Sequence, residues 1–295
     1  MTAISADHKV DQKIAFERAS RRNHAARPNW LGTLFGCVWL LITVIPIYYI
    51  VITSLRRQDG FYSSNQLLPP SNATLSQYGL VLQSDFFVYL ANSFIVTVVS
   101  VALTTLVSLA AAYAIVRSQT RFTRFSFSLF LLGLAVPLQA TIIPLFYVMS
   151  KVGLYDSLTA LILPSIGFAI PISVLILTNF LRDIPGELFE SMHVDGASHW
   201  RMLFSLVAPL SRPAVVTVVI YDALTVWNGF LFPLVLTQSA DKRTLPLSLW
   251  TFQGQFSVNI PATLAAVVLS TLPIFALYLF GRRQLVSGIT AGFSK

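Results

Sequence analysis

Between Glu187 and Pro213 the chain reads ELFESMHVDGASHWRMLFSLVAPLSRP, with three carboxylates, two arginines and two histidines among overwhelmingly apolar flanks. Carboxylates beside imidazoles could bind a metal or move protons, but the spacing argues against both. His193 and His199 are six residues apart, on different faces of a helix rather than at ligand spacing. No HExxH, GxSxG or GxxxxGK[ST] occurs anywhere, and no glycine is followed by lysine. Motifs for zinc hydrolysis, acyl transfer and nucleotide binding are therefore absent, and the chain is expected not to be an enzyme. A second polar set, Tyr221, Thr225 and Asn228, recurs at i, i+4 and i+7 and so shares one face of a helix. Such groups could bond a polar cargo or a neighbouring helix. Asp222 lies in the same apolar run, as a packing residue or a cavity residue.

The elements that must hold these residues follow from composition. Of 295 residues 55% are hydrophobic and 11% charged, against roughly 25% charged in an ordinary soluble domain. A membrane span needs about 20 mainly apolar residues. Suitable windows run over 30–55, 86–116, 125–150, 157–181, 213–239 (interrupted by Asp222) and 262–280. The stretch 61–84 is uncharged but too polar to span. The expected fold is thus an all-α membrane protein with six transmembrane helices over residues 30–295, behind a solvated N-terminal tail, 1–29. Pro137, Pro144, Pro164 and Pro171 punctuate the third and fourth spans, as kinks or as breaks beside a path.

Charge orients the spans. With the N-terminus in the cytoplasm, that side receives six Lys and Arg from the tail, then Arg117, Arg121 and Arg124. Arg182, Arg201, Arg212, Arg282, Arg283 and Lys295 follow; only Arg56, Arg57, Lys151, Lys242 and Arg243 remain outside. This asymmetry places both termini in the cytoplasm. The formal charge of +8 is then orientation charge, and nucleic acid is not an expected partner. The single cysteine, Cys37, allows no intrachain disulfide.

The charged stretch becomes the cytoplasmic loop between the fourth and fifth spans, about 183–212. Pro185 suits a first helical turn, with Glu187 near the positive end of the helix dipole. Asp195-Gly196 is a turn signal. A second helix is predicted with Ala197, Trp200, Phe204 and Val207 along one face. Periodicity alone fits either a helix lying in the interface or one that docks on a protein.

The detailed pattern favours the second. Glu190-Ser191-Met192, three residues, Gly196, nine residues and Leu206-Val207-Ala208-Pro209 resemble the EAA loop of ABC-importer permeases, EAA-x3-G-x9-I-x-L-P. Ser191, Met192, Leu206 and Ala208 depart from it. "ANSFIVT", "YDALTVWNGFLFPLVLT", "LPLSLWTFQGQF" and "RRQLVSGITAGFSK" are similar to the maltose-type branch of carbohydrate permeases. The resemblance implies a bacterial inner-membrane subunit that pairs with a second permease, ATPase subunits and an extracytoplasmic sugar-binding protein, and imports a di- or oligosaccharide. It further implies that ATP is used by the partners, with no cofactor bound by this chain. The loop would be the coupling helix, with Glu190 as charged contact, Asp195, Gly196 and Ala197 at the elbow, Trp200 and Phe204 as apolar seat, and Pro209 closing the motif. Tyr221, Thr225 and Asn228 would line the sugar path or hold the bundle together. The alternative, a secondary transporter or channel, would be expected to use intramembrane ionisable groups, and Asp222 is the one present.

Overall fold

The computed structural model describes residues 30–59, 61–63, 65–118, 120–252 and 258–293. The N-terminal tail expected over 1–29, and Lys295, lie outside them. In chain order the main helices are α1 (Trp30–Ser54), α2 (Ser76–Gln83), α3 (Phe86–Ser118), α4 (Arg121–Gly133) and α5 (Leu138–Lys151). Next come α6 (Leu158–Leu181), α7 (Gly186–Val194), α8 (His199–Leu210) and α9 (Arg212–Trp227), then α10 (Leu231–Leu236), α11 (Leu245–Ser248) and α12 (Ile260–Phe293).

The protein is all-helical, as expected. Among the described residues four helices, α1, α3, α6 and α12, are long and apolar enough to cross a membrane. The count reaches six if α4 with α5, bent by 102°, and α8 with α9, bent by 79°, each form one span. Two windows expected as single helices are therefore broken. The first breaks at Leu134–Pro137, where Pro137 lacks an N–H and pushes Val136 out of the helical region. Gly133 ends α4 against α6, and a Cβ there would sit 2.9 Å from Pro171 Cγ. The second breaks after Trp227, where Asn228 caps α9. A Cβ on Gly229 would meet the Val226 carbonyl oxygen at 2.9 Å. Pro144, Pro164 and Pro171, by contrast, sit inside continuous helices.

Residues 30–49, the greater part of α1, form a unit of their own; everything from Ile50 onward forms the other. In the larger unit α3 and α6 make the most extensive helix pair. The buried face of α3 carries Ser93, Thr97, Ser100, Thr104, Ser108 and Ala112. Small side chains let two backbones approach closely where lipid supplies no hydrophobic drive for association. With 33 residues, α3 is about 50 Å long, beyond the ~30 Å hydrocarbon thickness. Its two ends therefore reach the structures at either end of the bundle.

At its start, Asn92 donates from Nδ2 to the Asp241 and Arg243 carbonyls, both at 2.8 Å, and Ser93 Oγ accepts from the Leu245 amide at 2.8 Å. Close by, the Asp156 amide donates to the Leu236 carbonyl at 2.9 Å. Asp156 Oδ1 accepts from the Gln238 and Ser239 amides at 2.8 and 3.0 Å, and Oδ2 from the Ser239 hydroxyl. Asp156 holds a left-handed φ of 60°, a conformation acidic and amide side chains tolerate better than alanine. The Ser239 hydroxyl, then the two amides, hold its carboxyl below the usual range.

A lowered folded pKa means that the clamp contributes fully above the unfolded value, about 3.9. It is lost only as pH falls through the lower folded value. Asp156→Ala should therefore speed hydrogen exchange at the Gln238 and Ser239 amides at neutral pH. In the unsubstituted protein, protection corrected for intrinsic rate should persist until pH drops below about 4.

Candidate functional site

At the opposite end of α3, helices α7 and α8 form an elbow. Pro185 stands just before α7 rather than within its first turn, and Glu187 lies in that turn. The helix closes on Gly196, whose φ is +73°. The Ala197 amide donates to the Met192 carbonyl at 2.9 Å and the Gly196 amide to the His193 carbonyl at 3.0 Å. This pair of bonds is the Schellman closure, which needs a left-handed residue at the position Gly196 fills. Met192 and buried Ala197 join one apolar cluster, the contact that accompanies such a closure. Ser198 then caps α8, accepting from the Arg201 amide at 3.3 Å.

The second arm is not a regular helix. Leu203–Val207 forms a π turn, with the Ala208 amide bonded to the Leu203 carbonyl. Pro209 accounts for it physically: its ring crowds the carbonyl four residues back and it has no N–H to donate, so the ladder widens. The expected stripe is split. Ala197 and Val207 are buried, while Trp200 and Phe204 are 67% and 54% exposed. These two rings lie nearly parallel, with centroids 6.1 Å apart. Glu190 and Asp195 are exposed too, and Val194 is 86% exposed. The elbow thus presents an aromatic pair, an aliphatic tip and unpaired carboxylates on a fixed turn.

Both arms are tied to the end of α3 by Tyr113. Its hydroxyl is 3.1 Å from His199 Nδ1 and 3.5 Å from Met202 Sδ on α8, and its ring stacks on Phe189 of α7 with centroids 6.2 Å apart. One turn on, Arg117 lies over the same Phe189 ring, 4.5 Å from its centroid. These two residues escaped the sequence reading. The available signal was a Tyr and an Arg at i and i+4 near the end of a long apolar helix. No cluster of three metal-ligating side chains, His193 and His199 included, occurs among the described residues.

The second polar set lies on a cavity of about 240 Å³ bounded by α3, α5, α6, α9 and α10. Tyr221 and Thr225 line it, with Phe168, Phe230 and Phe232 supplying aromatic surface. Asn228 is exposed but is not on the lining; it caps α9, its Nδ2 donating to the Leu224 carbonyl at 2.8 Å. The Thr225 hydroxyl donates to the Tyr221 carbonyl at 2.9 Å, leaving its lone pairs free. Asp222 also lines the cavity, and Ser173 of α6 donates to its Oδ2 at 2.8 Å.

Comparison with known proteins identifies the family of the chain. Residues 104–289 match the family model described as "Binding-protein-dependent transport system inner membrane component". A protein of Caldicellulosiruptor sp. (strain Rt8B.4) that bears the name of an ABC transporter permease is 39% identical over 262 residues, 89% of this chain and 95% of its own. The diacetylchitobiose uptake system permease protein DasC of Streptomyces coelicolor is 30% identical over 272 residues, covering 89% of this chain and 99% of its own. A chain of a bacterial ABC transporter for the acidic polysaccharide alginate superposes with a TM-score of 0.77 at 23% identity, over 86% of this chain and 94% of that one. At that identity the last likeness speaks for the fold alone. By the family match and the full-length relatives, this chain belongs to the binding-protein-dependent inner membrane components, the multi-pass permease subunits of ABC importers.

Proposed function

We propose that this chain forms, with a second and related permease subunit, the path for a di- or oligosaccharide delivered by an extracytoplasmic binding protein. ATP is hydrolysed by separate subunits, and this chain binds no nucleotide itself. Residues 30–295 make the permease domain, 1–29 a cytoplasmic tail, and about 183–212 the coupling loop, with both termini in the cytoplasm. The observation that carries the reading is the elbow. Glu190, Val194, Trp200 and Phe204 are exposed on a closed turn, while Tyr113 ties both arms to α3. Helix α3 in turn lines the cavity at Ser93 and Val96, about 30 Å along its axis from Tyr113. A push on the elbow therefore reaches the cavity wall through one stiff element, which is what alternating access driven by a partner ATPase requires. Asp195, Gly196 and Ala197 set the turn; Pro209 sets the π turn; and Trp200 and Phe204 are the exposed rings of the second arm.

The cargo assignment rests on the cavity and on the diacetylchitobiose relative. Hydroxyls of Tyr221 and Thr225 beside aromatic faces suit a polyhydroxylated molecule. A cavity of about 240 Å³ falls below the ~300–1,000 Å³ of complete small-molecule sites, as suits one wall of a path shared with a partner. Thr225→Val with Tyr221→Phe removes the two hydroxyls on the lining while keeping its shape and leaving the Asn228 cap in place. In proteoliposomes holding the complete transporter, sugar uptake should drop at least tenfold, or sugar preference should change, with the ATPase subunits still bound. Unchanged kinetics and preference would make the stripe a packing feature.

A further inference from the structure

The most demanding group inside the bundle is Asp222. It is 1% exposed and sits within α9, among helices that span the membrane. Its Oδ2 is held by the Ser173 hydroxyl at 2.8 Å, while its Oδ1 has no hydrogen-bond partner among the described residues. A buried carboxyl oxygen left unbonded is expensive, and a residue kept only to tie α6 to α9 could be a serine or asparagine at lower cost. Its place supplies a reason to keep it: Asp222 contributes to the lining of the cavity that also holds Tyr221, Thr225 and Phe230. No lysine, arginine or histidine is among the lining residues, and Asp222 is the one acidic side chain there.

Resting on the sugar reading above, we propose that Asp222 is a substrate-binding residue whose free Oδ1 takes a sugar hydroxyl when the path opens, and that it selects an uncharged sugar over an acidic one. A carboxyl oxygen is a strong partner for a hydroxyl, and aromatic faces pack against the apolar side of a sugar ring. An acidic sugar would bring a second negative charge to a wall whose lining residues supply no cation to receive it, and like charges in a low-dielectric cavity repel strongly. Similar proteins do not fix this property. One bears the name of a diacetylchitobiose system, an uncharged disaccharide, and the superposable structure belongs to an importer of an acidic polysaccharide. The charge of the lining is thus an independent statement about this chain.

Two variants separate contact from packing. Asp222→Asn keeps the shape and can still bond Ser173 but removes the carboxylate; Ser173→Ala removes the interhelical bond and leaves the carboxylate. The complete transporter is reconstituted in proteoliposomes with maltose, cellobiose and diacetylchitobiose as uncharged probes and cellobiouronic acid as the acidic one. Asp222→Asn should lower uptake of the best uncharged probe at least tenfold, with ATP hydrolysis stimulated by the loaded binding protein staying within twofold. Ser173→Ala should stay within threefold in both measurements. Uptake and ATP hydrolysis falling together in both variants would make Asp222 a packing residue and overturn the proposal. Full uptake by Asp222→Asn would overturn it too, as would import of cellobiouronic acid as fast as the uncharged probes. A wild-type complex that imports none of the uncharged probes would instead count against the sugar reading itself.

Discussion

Replacing Gly196 by valine is expected to abolish ATP-driven uptake while leaving the chain inserted in the membrane. The turn needs a φ of +73° at this position, where an L residue pays about 1–2 kcal/mol and a β-branched one more. Space is not the obstacle, since a Cβ would meet nothing within 4 Å. The strain must be relieved by changing φ, which breaks the two closing bonds to Met192 and His193 and re-aims α8. None of the spanning helices passes through this turn, so insertion and expression should match the unsubstituted protein. Uptake and binding-protein-stimulated ATP hydrolysis should fall to background together, because the elbow transmits in both directions. Gly196→Ala should lie between the two, and near-normal uptake by Gly196→Val would remove the elbow from the mechanism.

A comparably large effect is expected from Trp200→Ser combined with Phe204→Ser. Large aromatic side chains on a fixed surface are the residues that dominate protein contacts, commonly at ~2 kcal/mol or more each, about thirtyfold in affinity per residue. Both rings are already exposed and stacked on each other, so their removal costs the chain little internal packing. Thermal stability of the isolated chain should therefore change little, whereas the ATPase subunits should wash off during purification of the complex. Retention of the ATPase at wild-type stoichiometry would show that the aromatic pair faces lipid or solvent instead.

The sequence was most legible where chemistry punctuates it. Asp195-Gly196 marks a turn because one residue type is at home at positive φ, and the elbow lies there. Tyr221 and Thr225 reach the cavity because helical periodicity holds over a single turn. Asn228, at the next step of the same pattern, falls off the lining because α9 ends at Trp227, an end that the Asn228-Gly229 pair marks as a turn signal but that periodicity alone passes over. Pro137 marked a kink or a break between α4 and α5 but not its size, because residues 125–150 satisfy the composition of one span as well as that of two helices at 102°. The π turn ahead of Pro209 was obscured because periodicity assumes 3.6 residues per turn throughout. Tyr113 was out of reach, since its partner His199 is 86 residues away and the contact exists only once α3 and the elbow are packed.

The account turns on the elbow meeting an ATPase subunit on the cytoplasmic side, and a cysteine at Val194 tests this most directly. Val194 is 86% exposed at the tip of the turn, and Cys37, the one native cysteine, can be replaced by serine to give a clean background. In intact membranes holding the complete transporter, a short cysteine-to-lysine cross-linker should join Val194→Cys to the ATPase subunit. A membrane-impermeant maleimide added outside intact cells should leave that cysteine unmodified. External labelling of Val194→Cys, with no cross-link to the ATPase subunit, would contradict the account.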